Sequence, residues 1–109
     1  MAPNLIEAIR AVVLHLVAQQ YDALADRSAG RLSESELRQA VVDYGRTLIP
    51  LPDAAWDVDI VPLATDSNTL SIDVPMWTLE EGRSDLTLSL TATTRGDSYD
   101  VVIDDLHVL

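Results

Sequence analysis

Residues 84–94, SDLTLSLTATT, decide the fold of this chain. Leu86, Leu88, Leu90 and Ala92 alternate there with serine, threonine and aspartate. Because successive side chains of a strand point to opposite faces of a sheet, this alternation predicts a strand with one apolar and one polar face. A sheet built from such strands is covered on one side, and its other side is wet or forms the wall of a cavity.

The same two-residue period continues on both sides of this stretch. Turn-forming residues separate the alternating segments, and short turns between strands are typical of an antiparallel meander. The predicted strands are about 56–63, 69–77, 84–94 and 98–108.

The N-terminal half has the helical period instead, with apolar residues recurring at intervals of three and four. The predicted helices are about 5–25 and 34–44. Asn4 with Glu7, and Ser33 with Glu36, match the capping box at the start of each helix. Gly45 stands where a left-handed residue would end the second helix.

Together these patterns predict an α+β fold with one domain over residues 1–109, in which two N-terminal helices pack on one face of a four-stranded antiparallel meander sheet. The chain has no cysteine, which excludes disulfides and thiolate metal sites. No apolar run approaches the roughly 18 residues of a membrane span, and the start lacks the basic segment of a signal peptide. We therefore expect a cytoplasmic protein with no cofactor and no metal site.

The charge is high and unevenly distributed. Eighteen acids against seven arginines give a net charge of −11, and residues 53–109 hold twelve of the acids and two of the arginines, a net −10. Such a field repels nucleic acid and anionic membranes and attracts cations. No phosphate loop, dinucleotide fingerprint or zinc motif is present. The charge therefore favours a basic protein partner, although it would also serve solubility alone.

Two positions interrupt the alternation. Pro75 cannot donate to a strand ladder, so it marks a strand end or a bulge. A bulge that shifts the alternation would turn Trp77 to the core, and otherwise Trp77 lies on the polar face. Asp104 and Asp105 form the second interruption, after which Leu106 resumes the apolar pattern on the opposite parity.

Asp105 and His107 are the strongest candidates for chemistry. Two residues apart on a strand, they share a face, and a carboxylate beside an imidazole suits acid–base work or the binding of a metal. The alternative is a solvated ion pair at a strand edge. The candidate residues for binding a partner belong to the acidic sheet half, and they are Asp73, Trp77, Asp85, Asp100 and Asp104.

Residues 77–88, WTLEEGRSDLTL, and the ending 103–109, IDDLHVL, resemble a small bacterial domain family of unknown function. Residues 44–48, YGRTL, extend the resemblance to the middle of the chain. This resemblance implies family membership and no activity. The order of the elements is also similar to that of the cystatin-like and nuclear-transport-factor-2-like α+β folds, which host enzymes, binding modules and inhibitors alike.

Two functions follow from these residues. The first is a non-enzymatic acidic binding module for a basic protein, such as an immunity-type inhibitor of a cationic toxin. The second is a pocket protein, either a small-ligand binder or an isomerase or lyase, with Asp105 and His107 inside a cavity. Exposed sheet edges and an exposed Trp77 would suit a homodimer in either case.

Overall fold

Helices precede the long strands of a single antiparallel sheet, as the α+β prediction requires. A computed structural model describes residues 1–109. In chain order the elements are α1 (Pro3–Val17), α2 (Tyr21–Asp26), α3 (Glu34–Tyr44), β1 (Leu48–Ile49), α4 (Asp53–Val58), β2 (Leu63–Ala64), β3 (Thr69–Thr78), β4 (Gly82–Arg95) and β5 (Ser98–Val108). None of the helices combines the length and the apolar character that crossing a membrane requires.

The three long strands form the predicted meander. The sheet order is β1-β3-β4-β5, with the short β2 also pairing with β3, and every pairing is antiparallel. Val74 of β3 lies opposite Leu88 of β4, which lies opposite Leu106 of β5. Apolar side chains therefore align across all three strands, and the predictions of strands at 69–77, 84–94 and 98–108 are confirmed.

One face of the sheet, here called the inner face, forms the core with the helices. Its buried residues are Ile72, Val74, Met76, Leu86, Leu88, Leu90, Ala92, Val101, Ile103 and Leu106. Helix α1 contributes Leu5, Ile9, Val12, Val13 and Leu16, which are also buried. Burying each valine, leucine, isoleucine or methionine among them stabilises the fold by about 1.5–3 kcal/mol. The opposite face, here called the outer face, carries Ser71, Asp73 and Trp77 of β3, Thr87, Ser89, Thr91 and Thr93 of β4, and Asp100, Asp105 and His107 of β5.

The prediction of one helix over 5–25 is wrong, because the helix breaks at Gln19. Gln19 has a positive φ of 61°, its N–H donates to Leu16 O at 3.1 Å, and the N–H of Gln20 donates to His15 O at 2.9 Å. These bonds close the end of α1 around a left-handed residue. Glycine usually holds that position, so a glutamine there leaves no signal in the sequence.

The capping prediction is wrong for the first helix and confirmed for α3. Pro3 already lies at the start of α1, so Ala2 is the N-cap and no side chain caps the helix. The Asn4 side chain instead donates to the carbonyl of Asp97. At α3 the hydroxyl of Ser33 accepts from the N–H of Glu36 at 3.1 Å, and the Glu36 carboxylate accepts from the N–H of Ser33 at 3.1 Å.

The predicted strand over 56–63 is also wrong. Residues 53–58 form helix α4, and only Leu63–Ala64 pairs with β3. Within α4, Ala55 and Trp56 are buried while Val58 is 74% exposed, so burial does not follow the two-residue period of a strand. The guanidinium of Arg10 lies 5.0 Å from the Trp56 ring, so the indole packs against α1.

Candidate functional site

A bulge lies where Pro75 predicts an irregularity. Pro75 pairs with Thr87 and Trp77 pairs with Arg83, so one residue of β3 lies opposite three residues of β4. The extra residues thus belong to β4, and Trp77 keeps the outer-face parity of Asp73. The indole is half-buried beside Ala54 and Val58 of α4, in an apolar cleft of about 200 Å³.

A second bulge explains why Leu106 resumes the apolar pattern out of step. Ser89 pairs with Asp105 and Leu90 pairs with Ile103, which leaves Asp104 as the extra residue of β5. Bulges redirect side chains at strand edges. The carboxylate of Asp104 contacts the guanidinium of Arg31 and accepts a hydrogen bond from the Thr91 hydroxyl. Asp104 therefore ties β5 to the loop between α2 and α3.

Two of the predicted site residues lie in one row across the middle of the outer face. Asp73 of β3 lies opposite Ser89 of β4, which lies opposite Asp105 of β5. The Ser89 hydroxyl donates to Asp73 Oδ1 at 2.8 Å. The backbones of Asp73 and Asp105 are two strand spacings apart, which is about 10 Å. Both side chains are exposed, so a partner can reach them from solvent.

Asp105 and His107 are neighbours, as predicted from their spacing. His107 Nδ1 lies 3.1 Å from Asp105 Oδ2, and the side chains are 38% and 55% exposed, respectively. The orientation is poor for a hydrogen bond, so the contact is an ion pair only when the imidazole is protonated. The other oxygen, Oδ1, accepts from the N–H of Leu106 at 2.9 Å.

The pair lies beside an open cleft. His107 lines a cleft of about 310 Å³ that also touches Tyr44 and Leu86 and opens to solvent. No group of three histidine, cysteine or acidic side chains in residues 1–109 is placed to hold a metal ion. The space between sheet and helices is filled by buried apolar side chains. The arrangement is therefore a contact between a carboxylate and an imidazole beside an open cleft.

The remaining predicted residues lie away from the central row. The carboxylate of Asp100 is near the β4–β5 turn and contacts Arg95. Asp85 lies in the bulged part of β4, where its N–H donates to the Tyr44 hydroxyl at 3.3 Å and its side chain is exposed. Trp77 lies four residues along β3 from Asp73, about 13 Å away. The structure thus spreads the predicted binding residues over the sheet instead of gathering them into one site.

Comparison with protein families places the chain. A family model described as Domain of unknown function (DUF7668) matches residues 10–109. The chain belongs to the DUF7668 family. The match includes all five strands and every helix except the first turns of α1. It confirms the predicted membership of a domain family of unknown function. Comparisons with curated proteins and with solved structures gave no match.

The DUF7668 domain also contains a contact that the sequence does not reveal. The turn after β3 clamps the segment after α3: Glu80 accepts from the N–H of Thr47 at 2.9 Å and from its hydroxyl at 3.0 Å. Donation by the Thr47 N–H lowers the pKa of the Glu80 carboxyl. Glu81 next to it accepts from the Tyr44 hydroxyl at 2.8 Å. A turn with two glutamates is ordinary in sequence, so only the fold identifies this clamp.

A second perturbed group lies between α2 and α3. Burial raises the pKa of the Tyr21 hydroxyl, and the nearby charge of Arg38 opposes this change. The Arg38 guanidinium lies 5.2 Å from the Tyr21 ring and also pairs with Glu34. Tyr21 therefore belongs to the helix packing of the DUF7668 domain and takes no part in the outer face.

Proposed function

We propose that this domain is a non-enzymatic binding module whose outer sheet face meets a basic protein partner, in the manner of an immunity-type inhibitor. The observation that carries the proposal is the open outer face, where Asp73, Asp100 and Asp105 are exposed on β3 and β5. Three long strands present these carboxylates on a rigid surface. A rigid surface with carboxylates at fixed spacing favours association with a complementary cationic one.

The distribution of ion pairs supports a net attraction for cations. The two arginines of residues 53–109 already have acidic partners, since Arg83 contacts Asp59 and Arg95 contacts Asp100. Asp73 has only the Ser89 hydroxyl as a partner. Most of the negative charge of this half is therefore not neutralised locally, and its field extends about 8–10 Å into solvent at physiological salt.

The alternative function, a ligand-binding or catalytic pocket with Asp105 and His107, has less support. Catalytic acids and bases act from clefts that exclude water and shift their pKa values. Both of these side chains are partly exposed, and the cleft at His107 is open. The same two residues fit the edge of a binding surface better than the floor of a pocket.

The test measures association of the purified domain with a panel of purified, strongly basic small proteins, such as ribonucleases and lysozymes. The test variant is Asp73→Asn with Asp105→Asn, which neutralises the central row. The matched control is Glu7→Gln with Asp57→Asn, two exposed acids on α1 and α4 that change the net charge equally.

We expect one or more panel members to bind at low salt and to lose affinity as the ionic strength rises past about 150 mM. Neutralising the central row should slow association about threefold or more, because these charges steer the encounter, whereas the control should change it little. Equal effects of both variants would mean that only total charge matters. Such a result, or binding that is indifferent to salt, would refute a specific outer-face interface.

A further inference from the structure

Along the free edge of β5, some main-chain groups have hydrogen-bond partners and others have none. β5 is the last strand of the sheet, so one edge of it faces away from β4. The N–H of Ile103 donates to Arg27 O at 2.9 Å, outside the sheet, which places the Ile103 amide on the free edge. The register with β4 is uninterrupted from Ser98 to Ile103. Because alternate residues of an antiparallel strand face the same edge, the main-chain groups of Tyr99 and Val101 also point outward.

Two of the outward amides are already satisfied. Arg27 O accepts from Ile103, and beyond the bulge the carboxylate of Asp105 accepts from the N–H of Leu106. The N–H and C=O groups of Tyr99 and Val101 have no such partner within residues 1–109. Proteins usually block free strand edges with charges, bulges or covering loops. This edge is blocked at and after Ile103 and left open just before it.

A groove runs beside the open stretch. It has a volume of about 310 Å³, with Tyr99–Val102 on one wall and Asp26, Arg27 and Ala29 at the end of α2 on the other. Its ends are marked by the contact of Asn4 with Asp97 and by the bond between Arg27 and Ile103. The five strand residues between these contacts span about 17 Å. An extended segment of about five residues matches that length.

We propose that an extended segment of the basic partner adds to the sheet as a strand at Tyr99 and Val101, an inference that rests on the proposed function and specifies its mode of recognition. The segment would exchange main-chain hydrogen bonds with these two residues, as in other strand additions to a sheet edge. Side chains of an added strand alternate between the two faces. Those on the outer side meet Asp100, and those on the helix side meet Ala29.

The net charge of −10 over residues 53–109 favours a basic occupant. Around the open stretch, Asp100 pairs with Arg95, Asp104 pairs with Arg31, and Asp26 lies beside Arg27 on the helix side. A segment with lysine or arginine on the outer side and small apolar residues facing Ala29 suits these surroundings. A second copy of β5 fits less well, because antiparallel pairing through Tyr99 and Val101 of both copies would place their Asp100 side chains opposite each other.

The first experiment uses eight-residue synthetic peptides of alternating lysine and valine as the probe. One version is unmodified, and the other is N-methylated at the residues whose N–H groups would pair with β5, so that charge is kept and main-chain donors are lost. Nuclear magnetic resonance of the isotope-labelled domain follows amide shifts and hydrogen exchange. In the saturated complex, the hydrogen-exchange rates of the Tyr99 and Val101 amides should fall at least about tenfold, since each N–H gains an acceptor.

The N-methylated peptide should bind about tenfold or more weakly. Equal affinity of the two peptides, no detectable binding of the unmodified one, or unchanged exchange at Tyr99 and Val101 would overturn the proposal. The variant Tyr99→Pro removes one outward N–H and leaves the ladder to β4 intact, and circular dichroism checks that the fold persists without the ring that packs against the core. It should weaken the unmodified peptide more than the methylated one.

Failure of this inference and failure of the proposed function give different results. Salt-dependent binding of basic proteins that is weakened by Asp73→Asn with Asp105→Asn, without edge protection, would leave the function standing and remove the strand addition. Edge protection by the peptide, together with basic-protein binding that ignores the outer-face charges, would keep the strand addition and remove the outer face as the interface.

Discussion

Replacing Gln19 by glycine should stabilise the domain. Gln19 is left-handed, with φ at 61°, and its side chain is exposed. A left-handed conformation destabilises a residue with a Cβ by about 1–2 kcal/mol, and glycine avoids this strain. Glycine is also more flexible in the unfolded chain, which lowers the free energy of unfolding by about 0.5–1 kcal/mol. The expected net gain for Gln19→Gly is therefore about 0.5–1 kcal/mol in the free energy of unfolding.

Urea denaturation followed by circular dichroism measures this change, and a thermal melt should move up by about 2–6 °C for a domain of this size. The matched control is Ala18→Gly one residue earlier, where φ is −79°. Glycine gains nothing in that conformation, so the control should lose about 0.5–1 kcal/mol. The denaturant dependence should be unchanged in both variants, since neither alters the surface exposed on unfolding.

The two substitutions therefore differ in sign, which makes the test decisive. If Gln19→Gly destabilised the domain as much as Ala18→Gly, residue 19 would be part of a continuous helix. The break between α1 and α2 would then be refuted, and the helix of about 5–25 that the apolar period predicts would be restored.

Three further predictions concern the cap of α3, the contact between Glu80 and Thr47, and the turn between β3 and β4. Ser33→Ala should cost about 1 kcal/mol of stability through loss of the cap on α3, while Ser35→Ala measured in the same urea titration should cost much less. The pKa of Glu80 lies below its ordinary 4.5, so its bond to Thr47 stabilises the domain above pH 4.5, and this stabilisation is lost as the pH falls through the lowered pKa. Glu80→Gln should therefore flatten this part of the acid-unfolding curve. An unchanged curve would contradict the clamp. Gly82→Ala places a side chain at a φ of 76° and should destabilise by about 1 kcal/mol or more in a thermal melt.

The long strands could be predicted because their pattern is local and repeated. Leu86, Leu88 and Leu90 alternate with polar residues, and one buried face is enough to specify such a strand. The capping box at Ser33 was predictable for the same reason, since its two partners are three residues apart. Family membership also followed from segments of contiguous sequence.

In other segments the local sequence pattern was compatible with two different secondary structures. The alternation of Trp56, Val58 and Ile60 fits a strand, whereas residues 53–58 form a short helix that buries Ala55 and Trp56. The packing of Trp56 against Arg10 of α1 selects the helix. At Gln19 the hydrogen bonds that close α1 outweigh the local strain of a left-handed glutamine. Neither outcome is encoded within a short window of residues.

Some features of the candidate site could likewise be predicted from the sequence, and others could not. The shared face of Asp105 and His107 follows from the two-residue period of a strand, and the excess of acids in the sheet half follows from counting. The bulge at Asp104, the partner of each carboxylate and the open amides of Tyr99 and Val101 depend on strand register and on the loop after α2. Register and edge coverage arise from contacts between segments far apart in the chain, which no local pattern contains.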